Sequence, residues 1–384
     1  MYHGSVLHSC KGFKYKLKRK KGRRKMRKLL ILLLIATMAF LPVACAQQST
    51  PTPAPPEEEP EQPEQPEQPG GFDALEPVVL IGADNAGVGA AAQLYGELIT
   101  EKVKEITGGK LTIDYYPNSQ LGNDQELQGQ MLAGDIDFVI CQTAQTVSFV
   151  PEVAIFDLPM VFAKYDAATI DYALNKSEFT QKINEAYKAK NMYCLHFLQG
   201  GTFRETTSNK KIETIDDFKG LKIRTMENKN HMAFWQAMGA APTPLPWPEV
   251  YISLQQGLVD AQENATDTCV GANLQEVQDY LILTHHILYC NQFLINASKF
   301  DNLDPLYQEA LQQAIDEAAV EIEAQLTEID ITNRQILVDG GMELVEFDAS
   351  FIDQVLEKAK GVYESIGKAI GQDYVDSLLN ALEK

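Results

Sequence analysis

Past residue 45, arginine is the residue best suited to chemistry with an anion, and only three occur: Arg204, Arg224 and Arg334, against 18 lysines. A planar guanidinium grips a carboxylate through two parallel hydrogen bonds, which an ammonium cannot do. Where arginine persists in a chain that otherwise uses lysine, that fork is a reason for it. Arg204 follows the apolar run Met192–Leu198 after a glycine turn, and Arg224 ends the run Leu221–Ile223. Open α/β sheets bind ligands beyond the carboxyl ends of their strands, so both positions are candidates for a carboxylate site. The alternative is an ion pair on the surface of an acid-rich protein, which contributes little.

Other side chains say less. Trp247 sits among Pro242, Pro244, Pro246 and Pro248, where a rigid loop would let its ring stack on a ligand. Trp235 falls at helical spacing and reads as core. Asp84-Asn85 and Asn123-Asp124 are loop groups suited to capping helices or touching a ligand. The pair His285-His286 has no carboxylate at ligand spacing and is flanked by Ile282 and Ile287, so core or surface histidines are expected and no metal. There is no G-x-S-x-G, H-E-x-x-H or P-loop, and the glycines from Gly82 to Gly89 lack the dinucleotide-binding order. Nothing supplies a nucleophile with a base; no enzyme activity and no cofactor are expected.

The elements that must carry these residues alternate. Val78–Gly82, Leu111–Tyr115 and Ile136–Ile140 read as strands, separated by a helical pattern from Ala90 to Ile106 and another from Asp124 to Leu132. Strand–helix–strand order predicts a parallel sheet with crossover helices. A second cycle follows: a helix Phe179–Ala189, the strand Met192–Leu198, a short helix opened by Thr214, the strand Leu221–Arg224, then helices His231–Met238 and Val250–Leu258. Asp304-Pro305 places a cap and a proline at the start of a helix of about 30 residues. At 1.5 Å per residue that spans about 45 Å, enough to cross two lobes.

Charge narrows the function classes. Twelve Lys/Arg fall between Lys11 and Lys28; without them 21 basic residues face 53 acidic ones, a net charge of −32. Nucleic-acid binding rests on neutralising phosphates with basic residues, so it is excluded. The basic head precedes sixteen uncharged residues, Leu29–Ala44, ending at Cys45. That is short for a membrane span and has the layout of an export signal. Val43-Ala44-Cys45 resembles a lipoprotein lipobox, with Pro42 where leucine is usual; a plain signal or an uncleaved anchor is the alternative. Met26 is a better start than Met1. Gln47–Gly71 is a Pro/Glu/Gln-rich stretch with no core-forming residues, an extended spacer. Cys141, Cys194, Cys269 and Cys290 are widely spaced and read as buried thiols.

Several ordered motifs carry a family resemblance over about residues 78–384. They are Tyr116-Pro117-Asn118-Ser119-Gln120-Leu121-Gly122, Phe156-Asp157-Leu158-Pro159, Gly220-Leu221-Lys222-Ile223-Arg224, Pro242 through Tyr251, and Gln262-Glu263-Asn264. In that order they resemble the solute-binding proteins of tripartite ATP-independent periplasmic (TRAP) transporters, DctP-like. The resemblance implies an α/β, two-lobed periplasmic-binding-protein-like fold of type II, with a central cleft and a long helix crossing both lobes. It also implies a ligand-contacting arginine at Arg224, a second at Arg204 (although Phe203 interrupts that motif), and contacts at Asn264 and Trp247. Gln142 and Glu227, with Asn85, complete the expected ligand set; Gln142 and Glu227 stand where sialic-acid binders have Glu and Asn. The expected organisation is a leader and lipoprotein-type signal over 1–45 and a disordered stalk over 46–73. A binding domain over 74–384 follows, with one lobe of about 78–201 and 290–329 and the other of about 202–289 and 330–384. The expected function is an extracytoplasmic lipoprotein, anchored by lipid on Cys45 at the outer face of the cytoplasmic membrane. It captures a small organic acid (a dicarboxylate, keto acid or sugar acid) and delivers it to membrane permease subunits. The alternative is a binding lipoprotein that feeds a membrane sensor; a secreted enzyme lacks the residues for it.

Overall fold

The computed structural model describes residues 71–199 and 202–384. The basic head, Cys45, the spacer as far as Gly70 and the turn Gly200-Gly201 lie outside the described residues. Two sheets organise the rest. Strands β1 (Val78–Asp84), β2 (Leu111–Tyr116), β3 (Phe138–Gln142) and β4 (Met192–Leu198) belong to the first sheet. The second holds β5 (Phe203–Ser208), β6 (Lys222–Thr225), β7 (Ala241–Pro244), β8 (Ala261–Asn264) and β9 (Tyr280–Leu288). The chain then returns to the first sheet as β10 (Asn291–Asn296) and to the second as β11 (Glu343–Glu346). The orders are β2-β1-β3-β10-β4 and β11-β9-β5-β8-β6-β7.

In the first sheet the expected parallel pairing holds only for β1, β2 and β3. Strand β10 lies antiparallel between β3 and β4, so the first sheet is mixed. Sequence order could not reveal this, because β10 arrives from a distant part of the chain. Strands β5, β7, β8, β9, β10 and β11 were not anticipated, and Arg204 therefore sits inside β5 and not in a turn. The proline-rich stretch before Trp247 forms strand β7, parallel to β6 at the sheet's end, a place where missing amide hydrogens are tolerated.

The sheets are joined between β4 and β5, between β9 and β10, and by the helix Pro305–Asp339. That helix has 35 residues, about 52 Å at 1.5 Å per residue. Asp304 caps it by accepting a bond from Leu306 N at 2.9 Å, with proline at its first position. Its first half buries Ala310, Leu311, Ala314, Ile315, Ala318 and Ile322 against the helix Ala91–Ile106 and the first sheet. The small alanines let the two helices approach closely. Gly82 serves a similar purpose in β1: a Cβ there would lie 1.9 Å from the Phe138 ring.

The C-terminal assignment needs a correction. The helix Ser350–Ile370 touches both the helix Lys229–Ala237 and the turn Pro151–Asp157, and the last helix, Gln372–Leu382, packs on Ala167–Asn175 and Glu178–Lys188. Val375, Leu378, Ala381 and Leu382 join the core beneath the first sheet, so the end of the chain covers the lobe where the sequence reading did not put it. The apolar faces of its helices match either lobe in pattern, and only packing decides. All four described cysteines are free and buried, as expected.

Candidate functional site

A cavity of about 50 Å³ lies between the sheets, well above the ~10–15 Å³ that one water needs. Asn85 reaches it from the end of β1, Gln142 from the end of β3, and Arg204, Arg224, Trp247 and Asn264 from the second lobe. Six of the seven expected contacts are thus brought together. Glu227 is not: it is exposed and outside the lining, although its charge reaches Arg224. It lies two residues beyond the end of β6, where the chain turns outward before the helix at Lys229.

The two arginines are held very differently. Arg204, 2% exposed, gives Nε to Glu263 Oε2 at 2.5 Å and Nη2 to Oε1 at 3.2 Å and to the backbone oxygen of Glu263 at 3.0 Å. Its Nη1 donates to Gln142 Oε1 at 2.6 Å. The fork expected to hold a ligand carboxylate thus holds the protein's own. Arg224, 3% exposed, donates Nε and Nη2 to the Leu245 carbonyl at 2.9 and 2.6 Å and lies over the Trp247 ring at 5.5 Å. Among the described residues no carboxylate stands within ion-pair distance of it, while Arg204 and Arg334 are both ion-paired. Burial, chiefly, with the Arg204 charge, pulls its pKa down to about 10 against Glu263 and Glu227, so it is cationic at neutral pH.

Behind the arginines lies a buried charge network. His231 Nε2 is 3.1 Å from Asp157 Oδ1, and Asn228 and Asn230 both donate to Asp157 Oδ2 at 2.9 Å. Burial opposes charge on His231, but Asp157 and Glu263 outweigh it and hold the imidazole at about 9. His286 is pushed down to about 4, by burial first. It is therefore neutral: Thr284 Oγ1 donates to Nδ1 at 2.8 Å, and Nε2–H donates to Glu263 Oε2 at 3.1 Å. Burial alone would raise the Glu263 carboxyl, yet Arg204, His231 and His286 hold it well below its usual range. Arg204 balances Glu263 and His231 balances Asp157. Arg224 is left as an uncompensated positive charge at the cavity.

Asp124, 2% exposed, lines the same cavity. Its neighbour Asn123 caps the helix Asp124–Ala133, accepting from Gln125 N and Glu126 N at 3.0 and 3.1 Å. Burial, and then Asp84, push the Asp124 carboxyl up to about 7 against a bond from Asn85 and the Arg204 charge. Of the loop polar pair Asn123-Asp124, the first is the cap and the second faces the cavity. Gln145, Thr268, Tyr289 and Asn291 also line it and were missed as contacts. The available signal was a polar pair, Tyr289 and Asn291, at the junction of two apolar strands. A smaller cavity of about 20 Å³ shares Tyr289 and Asn291 but contains neither arginine and is lined by Leu198, Leu326 and Ile329.

Two mixed α/β lobes, joined by few crossings and enclosing a polar cavity with one unpaired buried cation, define a binding protein for small anions. Residues 88–369 match the model of bacterial extracellular solute-binding protein family 7, DctP. The chain belongs to that family, the solute-binding proteins of TRAP transporters, which are binding components outside the cytoplasm and not enzymes. The sialic acid-binding periplasmic protein SiaP of Vibrio cholerae is 28% identical over 294 residues, 76% of this chain and 89% of SiaP. The 2,3-diketo-L-gulonate-binding periplasmic protein YiaO of Escherichia coli is 32% identical over 228 residues, 59% and 67% of the two chains. A TRAP solute-binding protein from Sulfitobacter sp. NAS-14.1, solved with β-D-galacturonate, aligns with a TM-score of 0.72 at 26% identity, covering 79% of this chain and 99% of that one. Among the described residues no helix is long and apolar enough to cross a membrane.

Proposed function

We propose that this chain is the capture lipoprotein of a TRAP transporter. It holds one carboxylate of a small hydroxylated acid on Arg224 and delivers the acid to membrane permease subunits while anchored by lipid on Cys45. The observation that carries the reading is the buried Arg224 guanidinium, which has no carboxylate of its own and lines the cavity. Two of its donor groups are spent on the Leu245 carbonyl, so the Nη1–Nη2 end is the edge left for the ligand. Trp247 supports the guanidinium from below, while Asn264, Gln142 and Asn85 supply polar groups for the remainder of the molecule. Arg204 fixes the cavity wall and contributes its field. More of the lining is polar than apolar, although Ile140, Met226 and Trp247 contribute to it, and this suits the hydroxyls of a sugar acid better than an alkyl chain. The uronate, diketo acid and sialic acid of the relatives' names fall in that class.

Isothermal titration of the purified chain against mono-, di- and sugar carboxylates tests the proposal. One sugar acid is expected to bind stoichiometrically and its neutral lactone or alcohol analogue to fail. Equal binding of acid and neutral analogue would overturn it.

A further inference from the structure

Away from the cleft, at the outer edge of the first sheet, β4 presents His196 to two carboxylates from distant segments. Asp171 lies on the helix Ala167–Asn175 and Glu323 in the middle of the helix Pro305–Asp339. One ligand atom from each of the three lies within 4.8 Å of the other two. Tetrahedral ligands at about 2.0–2.2 Å from a zinc ion stand roughly 3.4 Å apart, so small side-chain rotations close the set.

Each group has capacity left. Glu323 accepts from Gln199 N through Oε1 at 2.9 Å, and burial, above all, pushes its carboxyl up to about 7. The His196 side chain is only 11% exposed; Nδ1 is 3.4 Å from Asp316 Oδ1, and Nε2 is buried without a hydrogen-bond partner. A ring nitrogen stripped of water and left unpaired is costly, and a carboxylate on the far nitrogen is the arrangement that orients a metal-bound imidazole. Asp171 accepts from Asn175 Nδ2 at 2.9 Å and from Lys176 Nζ at 2.5 Å. The Lys176 side chain is 64% exposed and free to swing into solvent. The lysine thus marks where positive charge is wanted.

We propose that Asp171, His196 and Glu323 bind a divalent metal ion of the zinc type, with the free imidazole nitrogen and one oxygen from each carboxylate as ligands. Lys176 supplies the counter-charge when the metal is absent. One imidazole with two carboxylates favours zinc over magnesium or calcium, which take oxygen ligands alone. The ion ties the edge strand to both helices, and through Glu323 it braces Gln199 just before the crossing to β5. No sequence spacing announces the site, because its ligands lie about 25 and 127 residues apart along the chain and only packing unites them.

The test is calorimetric titration of the full chain, freed of metal with a chelator, using zinc chloride and, separately, magnesium and calcium chloride. One zinc site is expected in the wild type. It should weaken at least about 10-fold in His196→Ala and Glu323→Gln, and about 10-fold in Asp316→Asn through the lost outer partner. It should be unchanged in His285→Ala. Glu323→Gln keeps an acceptor for Gln199 N, so its metal-free melting temperature should match the wild type and a folding defect cannot imitate the loss. Cobalt titration should give visible absorption bands of tetrahedral coordination in the wild type alone. Zinc binding that persists in both ligand variants, no binding at all, or equal binding of magnesium would overturn the proposal.

Discussion

Arg204 Nη1 meets Gln142 Oε1 across the cleft at 2.6 Å, joining a strand of the second sheet to the end of a strand of the first. The same guanidinium is clamped from behind by Glu263. Arg204 can keep both partners only while the two walls are close. The residues that the sequence offers as equivalent thus divide the work: one arginine joins the walls, the other is left without a carboxylate.

That division predicts unequal losses. Truncating one side of a desolvated charge pair costs about 2–5 kcal/mol, and each 1.4 kcal/mol is tenfold. Arg224→Ala should therefore weaken binding of the natural acid by about 30-fold or more, with little change in melting temperature. Arg224→Lys should recover only part of it, since the ammonium keeps the charge and loses the fork. Isothermal titration at two salt concentrations decides. Wild-type affinity in Arg224→Ala would remove the residue from the site.

Asp124 adds a pH dependence. Its carboxyl is held at about 7, so it is largely neutral below that pH and a second negative charge in the cavity above it. An ionised ligand meets no repulsion in the first case and meets it in the second. Affinity should fall as pH rises from 6 to 8, and Asp124→Asn should flatten the fall. A rise in affinity over that range would contradict the assignment.

Strands β1 to β4, β6 and the long helix were legible because apolar period and caps write them locally: Asp304-Pro305 opens its helix where expected. The strands β9 and β10 were not, since both are buried on both faces and carry no alternation, and β10 pairs with segments about 100 and 150 residues away. In the candidate site, the rarity of arginine singled out Arg204 and Arg224, and both line the cavity. Nothing local could tell which one is satisfied, because Glu263 becomes the neighbour of Arg204 only through the pairing of β5 with β8. Glu227, expected only from the family resemblance, lies outside the lining because the chain turns outward after β6.

The buried network should govern stability. His231 rises from 6.5 unfolded to about 9 folded, so it contributes stability that is complete below 6.5 and lost as pH rises through 9. The full difference is on the order of 3 kcal/mol at about 1.4 kcal/mol per unit. Glu263 shifts the other way: its contribution is present above its ordinary value of 4.5 and is lost on acidification. The wild-type melting temperature should fall between pH 7 and 10, and His231→Gln should lower it and flatten that limb. Glu263→Gln leaves Arg204 buried without a carboxylate and should cost about 3–5 kcal/mol. A variant as stable as wild type in chemical denaturation would refute the network's role.

The anchor is tested separately. Mass spectrometry of the membrane fraction is expected to find a mature chain beginning at a lipid-modified Cys45, the residue that closes the uncharged run Leu29–Ala44. An unmodified Cys45, or a retained peptide beginning at Met26, would show that the signal is of another kind.

The cleft should also open. The sheets are connected by the segment between Leu198 and Phe203, by Tyr289-Cys290 and by one long helix, while the polar groups facing the cavity gain hydration when it opens. Asp157 and His231, 1% and 0% exposed, bridge the lobes on a side where water would be costly, so the motion must pivot near them. On the cavity side, the links to break include the Arg204–Gln142 bond and the bond from Ala91 N to Asp267 Oδ2. Ligand would add the Arg224 contact and exclude water, which strengthens every charged interaction inside. Small-angle scattering should therefore give a smaller radius of gyration with saturating acid than without it. Gln142→Ala should enlarge the ligand-free radius or leave it unchanged, but not reduce it, because it removes only a closed-state contact. An identical radius with and without ligand, with binding verified by calorimetry on the same sample, would mean that the two lobes move as one body.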